Sequence, residues 1–245
     1  MSIHPTALVE PGAKLGANCT VRAHAIITRH CVLGDGVTVD SFAVVGGDPQ
    51  YLKFDPATAS GVVIGAGTVI REHCTINRSI HAGRNTTVGA RCFLMANAHV
   101  GHDCIVGDDV VLANNAMLAG HVEVGAFTFV GGGAGIHQFV RIGEGAMVGG
   151  LTRLTRDVAP FLMVAERDEV PGFNVVGLKR RGFSREAIQE LKAAYARVFS
   201  GGDPRPHAAA LLVAGVKSAE ARRFLEFFAA GKRGFVRPAA GAAEE

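Results

Sequence analysis

Four of the ten histidines lie close together, within residues 99–137. This cluster contains His99, His102, His121 and His137, with amide or carboxylate side chains at Asn97, Asp103, Asn114, Asn115 and Gln138. A neutral imidazole with an ordinary pKa of about 6.5 can remove a proton from a hydroxyl or amine near neutral pH. The cluster therefore predicts a site of general-base chemistry.

No activated nucleophile accompanies these histidines in the sequence. The chain has no G-x-S-x-G elbow, and its five cysteines occupy positions that we expect to be buried. The chemistry indicated is direct attack of an acceptor hydroxyl or amine on an acyl donor, without a covalent enzyme intermediate. Such a transfer also requires a hydrogen-bond donor for the developing oxyanion.

Two other interpretations of the histidines stay open. They could be ordinary surface residues, although four of them beside several amides make this reading weaker. They could also bind zinc, because trimeric β-helix carbonic anhydrases hold a metal through three histidines. That family spaces its later two histidines five residues apart, and no pair within residues 99–137 has this spacing. We expect neither a metal nor another cofactor.

The histidines belong to a repeat of six residues that occupies most of the chain. An aliphatic residue recurs at every sixth position within residues 3–45, 64–76 and 88–154. These 23 repeats all begin with Ile, Leu or Val, and the second position is often Gly. The fifth position is small or aliphatic except at Pro49. A period of six fits neither an α-helix nor a simple alternation.

The repeat predicts a parallel β-helix, a prism in which three short strands close one coil of about 18 residues. Coils stack about 4.8 Å apart, and stacking buries the core. Adding 18 to a residue number therefore moves one coil along the same face. By this count His102 lies beneath Gly120, which lies beneath Gln138. Asp103 likewise lies beneath His121, and the N–H of Gly120 could serve as the oxyanion donor.

The domain organisation follows from where the repeat stops. Residues 46–60 contain two prolines and no repeat, so we expect an excursion from the prism. Residues 81–87 are either a shorter excursion or a degenerate repeat. We expect a β-helix over residues 1–160, followed by a linker and a C-terminal helical subdomain over residues 161–245. Loops on a rigid scaffold often carry binding residues.

Helical patterns follow a linker that we expect at residues 161–183. Ser184 is suited to cap the N-terminus of a first helix. A second helix is expected over about residues 206–213, and Ser218 should begin a third. The tail after Pro238 is expected to be disordered.

Composition excludes several classes of protein. A net charge of +3 without a Lys/Arg run does not favour nucleic-acid binding. We find no signal-peptide pattern and no apolar stretch near the roughly 18 residues of a membrane helix. An odd number of cysteines without a CxxC pair fits a reducing compartment. We therefore expect a cytoplasmic protein without stable membrane insertion.

Several segments resemble the UDP-N-acetylglucosamine O-acyltransferases of lipid A synthesis. They are NAHVGHDCIVGDDVVLANNAMLAGHVEVG at 97–125, IHQF at 136–139, MVGG at 147–150 and GLKRRGFSRE at 177–186. The resemblance covers nearly the whole chain and implies an all-β left-handed parallel β-helix. It implies that an (R)-3-hydroxyacyl group passes from acyl carrier protein to the 3-hydroxyl of UDP-N-acetylglucosamine. It further implies a homotrimer with clefts between adjacent prisms.

The resemblance also implies roles for particular residues. His102 matches the general base, Asp103 its orienting partner and Gly120 the backbone oxyanion donor. Substrate-binding positions are matched by Lys53, His99, His121, His137, Gln138, Asn174 and Arg180. Gly150 matches a position that limits the acyl chain. A basic surface is formed by Lys179, Arg181 and Arg185, which either meets the acidic carrier protein or is only solvated.

Three positions depart from the family pattern. Tyr51, Asn77 and Val176 stand where Asp, His and Glu are common, all in sugar- or nucleotide-contacting regions. An amino-sugar acceptor is therefore compatible with the sequence. Three further functions stay open: an acetyl-CoA-dependent sugar acetyltransferase, a non-catalytic scaffold, and the N-acyltransferase of a later lipid A step. This N-acyltransferase usually carries a large N-terminal domain, for which repeats beginning at Ile3 leave no room.

Overall fold

In a computed structural model, which describes residues 1–238, the repeat forms a prism of short strands. The strands are β1 (Ser2–Ile3), β2 (Leu8–Val9), β3 (Lys14–Leu15), β4 (Thr20–Val21), β5 (Ile26–Ile27), β6 (Cys31–Leu33), β7 (Thr38–Val39), β8 (Val44–Gly47), β9 (Gly61–Ile64), β10 (Val69–Ile70), β11 (Thr75–Asn77), β12 (Asn85–Val88), β13 (Phe93–Leu94), β14 (His99–Val100), β15 (Ile105–Val106), β16 (Val111–Leu112), β17 (Met117–Leu118), β18 (Glu123–Val124), β19 (Phe129–Val130), β20 (Gly135–Ile136), β21 (Arg141–Ile142), β22 (Met147–Val148) and β23 (Arg153–Leu154). Each strand holds the leading aliphatic residue of one repeat. The tail after Pro238 lies outside the described residues.

Every third strand joins the same parallel sheet. The first sheet runs β1-β4-β7-β10-β13-β16-β19-β22, the second β2-β5-β8-β11-β14-β17-β20-β23, and the third β3-β6-β9-β12-β15-β18-β21. In the second sheet Val100 pairs with Leu118, and Leu118 pairs with Ile136. The spacing of 18 residues per coil is thus confirmed over this part of the chain. The fold is the left-handed parallel β-helix that the motifs implied.

The inward positions of the repeat make the core. From Val21 onward every leading aliphatic residue is buried, whereas Ile3, in the first coil of the described residues, is 44% exposed. All five cysteines are buried in the same core. Burying one such aliphatic side chain contributes about 1.5–3 kcal/mol, and no single coil could do so alone.

The corner between the second and third sheets, here named the polar corner, carries the predicted column. Its residues are 102–103, 120–121 and 138–139. Asp103, His121 and Phe139 adopt left-handed backbone conformations with φ of 60°, 62° and 64°. Asp and His tolerate this conformation better than most residues, whereas Phe tolerates it poorly. Tight corners of this kind turn the chain between two sheets.

Two loops leave the prism, at residues 48–60 and 78–84. Ile76 lies in the second sheet and Val88 in the third, which is the next face of the prism. They are twelve residues apart instead of six, so the second loop is an insertion of six residues and not a degenerate repeat. Arg78 is buried and fastens the two loops together. Its guanidinium donates to the Asp48 carboxylate at 2.8 Å and to the carbonyl oxygen of Thr58 at 2.6 Å.

The prediction of a linker at residues 161–183 is wrong in part. This segment contains β24 (Leu162–Ala165), β25 (Glu169–Phe173) and the short helix α1 (Val175–Arg180). Strand β24 continues the first sheet beside β22 and pairs antiparallel with β25. The hairpin escaped prediction because its spacing is not six and because Pro171 and Gly172 interrupt it. A final strand, β26 (Arg237–Pro238), pairs with β25.

The three expected helices are present. They are α2 (Arg185–Val198), α3 (Pro204–Ala214) and α4 (Ala219–Glu226), followed by a 3₁₀ turn at Phe227–Ala229. The Ser184 and Ser218 hydroxyls accept the first-turn amides of Ala187 and Ala221, which confirms both predicted caps. An aromatic cluster packs between the helices and the hairpin. Within residues 1–238, no helix is long and apolar enough to cross a membrane.

Candidate active site

A cavity of about 710 Å³ opens on the second sheet beside the polar corner. It is lined by Gln50, Thr75, Asn77, Asn97, His99, Gly101, His102, Met117, Ala119, Gly120, Gly135, Ile136, His137, Gln138, Arg153, Leu154 and Thr155. The structure therefore brings five of the predicted residues together: His99, His102, Gly120, His137 and Gln138. Three successive coils supply them, from strands β14, β17 and β20 or the turns that follow these strands, as the spacing of 18 residues requires.

His102 and Asp103 form a hydrogen-bonded pair at one side of this cavity. The Nδ1–H of His102 donates to the Asp103 carboxylate at 2.9 Å, and the two side chains are 12% and 7% exposed. Because a carboxylate can only accept, Nδ1 carries the ring proton and Nε2 keeps its lone pair. The pair thus has the arrangement of an oriented general base.

The Asp103 carboxylate is held ionised by hydrogen bonds from the loop 78–84. Burial alone would raise its pKa, but the Ser79 hydroxyl, the Ile80 N–H and the His102 ring outweigh burial and lower it. The Ser79 hydroxyl donates to Oδ1, and the Ile80 N–H donates to Oδ2 at 3.1 Å. The backbone N–H of Asp103 donates to the Thr86 hydroxyl at 2.8 Å. The carboxylate is therefore fixed in charge and in position.

Gly120 lies directly against the His102 ring. A Cβ atom built on Gly120 would come within 2.5 Å of Cε1 and 2.6 Å of Nε2 of His102. Within residues 1–238, no protein acceptor takes the backbone N–H of Gly120. Residues 102 and 120 are thus vertical neighbours, and the amide of Gly120 has hydrogen-bonding capacity left for a substrate.

His99 lies in β14, directly before the turn that contains His102, and forms part of the same cavity wall. Its Nδ1 lies 2.8 Å from the Thr75 hydroxyl. Burial, together with the nearby His102 ring, lowers the pKa of His99. A neutral ring at this position can exchange hydrogen bonds with an uncharged hydroxyl or amide of a substrate.

His121 lies around the polar corner from these residues. Its ring stacks on Phe139 with centroids 4.5 Å apart and meets the His102 ring edge-on at 5.0 Å. Burial lowers the pKa of His121, although the Asp103 carboxylate opposes this effect. With Asp103 it lines a second cavity, of about 520 Å³, on the third sheet, which also contains Lys232. The histidine column is therefore divided between two faces of the prism.

One group of side chains in the described residues has the spacing to hold a metal ion. It consists of His81, Asp103 and His121, whose ligand atoms lie within 4.8 Å of one another. This set shares only His121 with the four histidines considered from the sequence. Both oxygens of Asp103 already accept hydrogen bonds from Ser79 and its neighbours, so a metal would have to displace these donors.

Several predicted binding residues lie away from the His102 cavity. Lys53 is exposed on the loop 48–60, and Arg180 is exposed at the end of α1. Asn174 caps α1 by accepting from the Gly177 N–H at 3.0 Å, and its amide nitrogen donates to the carbonyl oxygen of Gly145 at 3.1 Å. Gly150 is exposed at another corner, where an added Cβ would make only ordinary contacts.

The structure brings together two of the three cations predicted to form a basic surface. Lys179 and Arg185 line a shallow cavity of about 520 Å³ with Lys192. Arg181 does not join them, because its guanidinium lies 4.3 Å from the Phe127 ring centroid and 3.6 Å from the Glu144 carboxylate. Arg181 thus faces the prism, where stacking on an aromatic ring and pairing with a carboxylate stabilise it.

Sequence reasoning missed Thr75 and Ser79, which hydrogen-bond to His99 and Asp103. Both lie before the insertion at residues 78–84 or within it, so a count of 18 residues does not connect them with their partners. The departures from the family pattern also have places in the structure. Asn77 lines the cavity and donates to the carbonyl oxygen of Asp48 at 2.9 Å. Tyr51 and Val176 are exposed.

Comparisons with known proteins agree with this fold. Residues 157–236 match the family model "Udp N-acetylglucosamine O-acyltransferase; Domain 2", and residues 85–120 match "Bacterial transferase hexapeptide (six repeats)". An acyl-[acyl-carrier-protein]--UDP-N-acetylglucosamine O-acyltransferase from Campylobacter concisus is 38% identical over 253 residues, covering 95% of this chain and 96% of its own. A relative of the same name from Caulobacter vibrioides is 42% identical over 220 residues, covering 82% and 83%. The solved UDP-N-acetylglucosamine acyltransferase from Campylobacter jejuni superposes with a TM-score of 0.84 at 36% identity, covering 97% of this chain and 100% of that one.

The fold and the site together define an acyltransferase of the hexapeptide-repeat class. A relative at 38% identity over nearly the full length of both chains also fixes the family. The chain belongs to the acyl-[acyl-carrier-protein]--UDP-N-acetylglucosamine O-acyltransferases, the family of lipid A synthesis that its motifs resembled. The predicted family, fold class and enzyme class are confirmed.

Proposed function

We propose that this chain transfers an (R)-3-hydroxyacyl group from acyl carrier protein to the 3-hydroxyl of UDP-N-acetylglucosamine. The observation that carries the proposal is the pair of His102 and Asp103 beside Gly120, within a cavity of about 710 Å³. The family names supply the donor and the acceptor. The pair supplies a base, and the glycine supplies a free amide.

The proposed reaction is a single addition and elimination at the thioester carbon. Nε2 of His102 removes the proton of the sugar hydroxyl as its oxygen forms a bond to the carbonyl carbon. The backbone N–H of Gly120 donates to the resulting oxyanion. Collapse breaks the carbon–sulfur bond, and the departing carrier-protein thiolate takes from His102 the proton that the sugar hydroxyl gave up. Asp103 keeps the ring oriented and stabilises the imidazolium that forms between the two steps.

The remaining predicted residues have subordinate roles in this proposal. His99, His137 and Gln138 bind the acceptor in the His102 cavity. His121 binds substrate from the neighbouring cavity on the third sheet. Lys53, Asn174 and Arg180 would reach a substrate only across a cleft between subunits. Gly150 leaves room for the acyl chain.

We further propose that the protein works as a homotrimer in the cytoplasm. The cavity is formed on an open prism face, and Met117, Phe129 and Met147 expose apolar surface on the prism. Exposed apolar surface of this kind marks sites of association. Five free, buried cysteines are typical of a reducing compartment. Sedimentation of the purified protein tests the trimer, since a stable monomer with full activity would contradict it.

We propose that the carrier protein docks at Lys179 and Arg185, beside Lys192. These exposed cations lie together around one shallow cavity, where they could pair with an acidic partner. Arg181, the third cation predicted for this surface, pairs with Glu144 and stacks on Phe127 instead, so the proposal rests on Lys179 and Arg185. Charge reversal at Lys179 should raise KM for the acyl carrier protein without changing KM for the nucleotide sugar.

Product analysis tests the reaction itself. Purified protein is incubated with UDP-N-acetylglucosamine, or with its 3-amino analogue, and a set of hydroxyacyl carrier proteins. Mass spectrometry should find the 3-O-acyl product, with one preferred chain length. If only the amino analogue is acylated, the proposed acceptor is wrong. If only acetyl-CoA serves as donor, the proposed donor is wrong.

Two further measurements test the mechanism. His102→Ala should lower kcat by about 10²–10⁴, whereas His24→Ala, which removes a histidine from another corner, should not. The enzyme is incubated with hydroxyacyl carrier protein in the absence of the acceptor. Its intact mass should then show no added acyl group. An acylated enzyme that turns over on addition of the acceptor would contradict direct attack.

A further inference from the structure

The C-terminal segment reaches the wall of the His102 cavity through Arg233. Nη2 of Arg233 lies 3.0 Å from Nδ1 of His137, and its Nε donates to the carbonyl oxygen of Thr155 at 3.4 Å. His137 and Thr155 both line the cavity that contains His102. The helical subdomain therefore contributes a cation to the edge of the cavity.

A buried ion pair fixes the segment that carries this cation. Arg141 and Asp157 lie 2.9 Å apart, and Asp157 is fully buried. Arg141 also donates to the carbonyl oxygen of Ala230 at 2.7 Å. The backbone of Asp157 bonds to the carbonyl oxygen of Gly234 and to the N–H of Val236, at 2.8 and 3.0 Å. The loop 231–234 is thus anchored to the prism at both ends.

The contact with Arg233 favours one position for the ring proton of His137. A guanidinium has only donors, so this contact is a hydrogen bond only if Nδ1 of His137 accepts and carries no proton. The ring is then neutral, with its proton on Nε2. The carbonyl oxygen of Gln138 lies 3.3 Å from the same Nδ1, and it could be satisfied only by a protonated Nδ1. Arg233 and this carbonyl therefore favour opposite tautomers.

We propose that Arg233 is a positioning residue that holds His137 as the neutral Nε2–H tautomer. The ring then donates a hydrogen bond to an oxygen of the nucleotide-sugar acceptor. The identity of this ligand rests on the proposed function, whereas the tautomer does not. His102 has the opposite tautomer because its Nδ1 donates to Asp103. The two rings would thus divide the work, with His102 accepting a proton and His137 donating a hydrogen bond.

Nitrogen NMR of the protein labelled with ¹⁵N-histidine tests the tautomer. At about pH 8, where an ordinary imidazole is neutral, the wild type should show a protonated Nε2 and a bare Nδ1 for His137. The variant His137→Gln identifies these signals. Arg233→Met should move the proton to Nδ1, since only the Gln138 carbonyl then remains as its partner. Arg233→Lys keeps an obligate donor and should restore the wild-type pattern.

Kinetics test the consequence for binding. Arg233→Met should raise KM for UDP-N-acetylglucosamine about tenfold, the effect of one lost hydrogen bond, with little change in kcat. The lysine variant should recover most of this loss. Arg222→Gln is the matched control, because it removes an exposed cation of α4 whose side chain makes no hydrogen bond or ion pair within residues 1–238. It should change neither the spectrum nor KM.

The outcomes separate the two proposals. A wild-type His137 protonated on Nδ1, or an unchanged spectrum in Arg233→Met, overturns the role of Arg233. If the methionine variant does not fold, the wild-type and lysine spectra still decide the tautomer. A wild type that shows the expected tautomer but does not acylate UDP-N-acetylglucosamine overturns the proposed function and supports the coupling of Arg233 to His137.

Discussion

The imidazole of His102 occupies the space that a side chain on Gly120 would need. A Cβ at position 120 would lie 2.5 Å from Cε1 and 2.6 Å from Nε2 of the ring, well inside van der Waals contact. Glycine is required here because of this neighbour one coil away. The residue that leaves its N–H free for an oxyanion also makes room for the base.

We expect Gly120→Ala to lower kcat by about 100-fold, because the added methyl group displaces a ring whose placement the reaction needs. The free energy of unfolding should fall only modestly, since the atoms that must move belong to the His102 ring and not to the backbone. Steady-state kinetics and urea unfolding measure the two effects. In a protein that already carries His102→Ala, Gly120→Ala should lower kcat almost no further. A full additional loss in the double variant would contradict the steric explanation.

Asp103 should make stability depend on pH. Its pKa is lowered in the folded protein, so its contribution is present above the ordinary carboxyl pKa of about 3.9 and is lost as the pH falls towards the folded value. We therefore expect the difference in unfolding free energy between wild type and Asp103→Asn to shrink between about pH 5 and pH 3. Urea unfolding at each pH gives this difference. If this difference in unfolding free energy grows as the pH falls, the pKa of Asp103 is not lowered in the folded protein.

Ser79 should control the charge of Asp103 from the loop 78–84. Ser79→Ala removes a hydroxyl donor to the carboxylate, so the pKa of Asp103 should rise and kcat should fall about tenfold. Carbon NMR titration of labelled aspartate measures the first effect. Ser60→Ala is the control, because Ser60 donates to the carbonyl oxygen of Ser79 and not to Asp103. Equal effects of both variants would point to loop disruption instead.

The cysteines should be inert in the native protein. Burial raises the pKa of Cys104 to about 12, and that of Cys31 and Cys74 to about 11. Thiolate is therefore scarce at neutral pH, and the sulfur atoms are also inaccessible. A thiol reagent such as DTNB should react only after unfolding, when all five groups become available. Rapid modification of the folded enzyme with loss of activity would assign a functional role to a thiol.

Removal of metal should leave the activity unchanged. The only metal-compatible group within residues 1–238 includes Asp103, whose oxygens accept from Ser79, Ile80 and His102. We propose that these donors, and not a cation, neutralise the carboxylate. Exhaustive dialysis against EDTA followed by assay in metal-free buffer tests this. Loss of activity that Zn²⁺ restores would instead favour a metal at His81, Asp103 and His121.

The prism could be derived from the sequence because its information is local. Each repeat specifies one strand and one turn, and almost every strand contains a buried aliphatic residue. Over residues 88–154 the period has no interruption, so the vertical order of His102, Gly120 and Gln138 follows from counting alone. The count was less useful before Val88, because it cannot show how an inserted loop folds back on the prism.

The C-terminal part was less predictable for a different physical reason. The helices α2 and α4 were found through their serine caps and amphipathic spacing, which are local signals. The hairpin of β24 and β25 carries no such signal, because it is stabilised by pairing with β22 at the end of the prism. The inward course of Arg181 likewise depends on Phe127 and Glu144, which lie far from it in sequence.

The sequence by itself determined the repeat, the family and the neighbourhood of His102 and Gly120, since a fixed number of residues per coil converts spacing into distance. Only the tertiary structure decided which groups complete that site. Ser79 reaches Asp103 across 24 residues that include an insertion, and Arg233 reaches His137 across 96 residues through a docked subdomain. Neither separation is a multiple of the coil, so both contacts depend on how loops and helices pack against the prism.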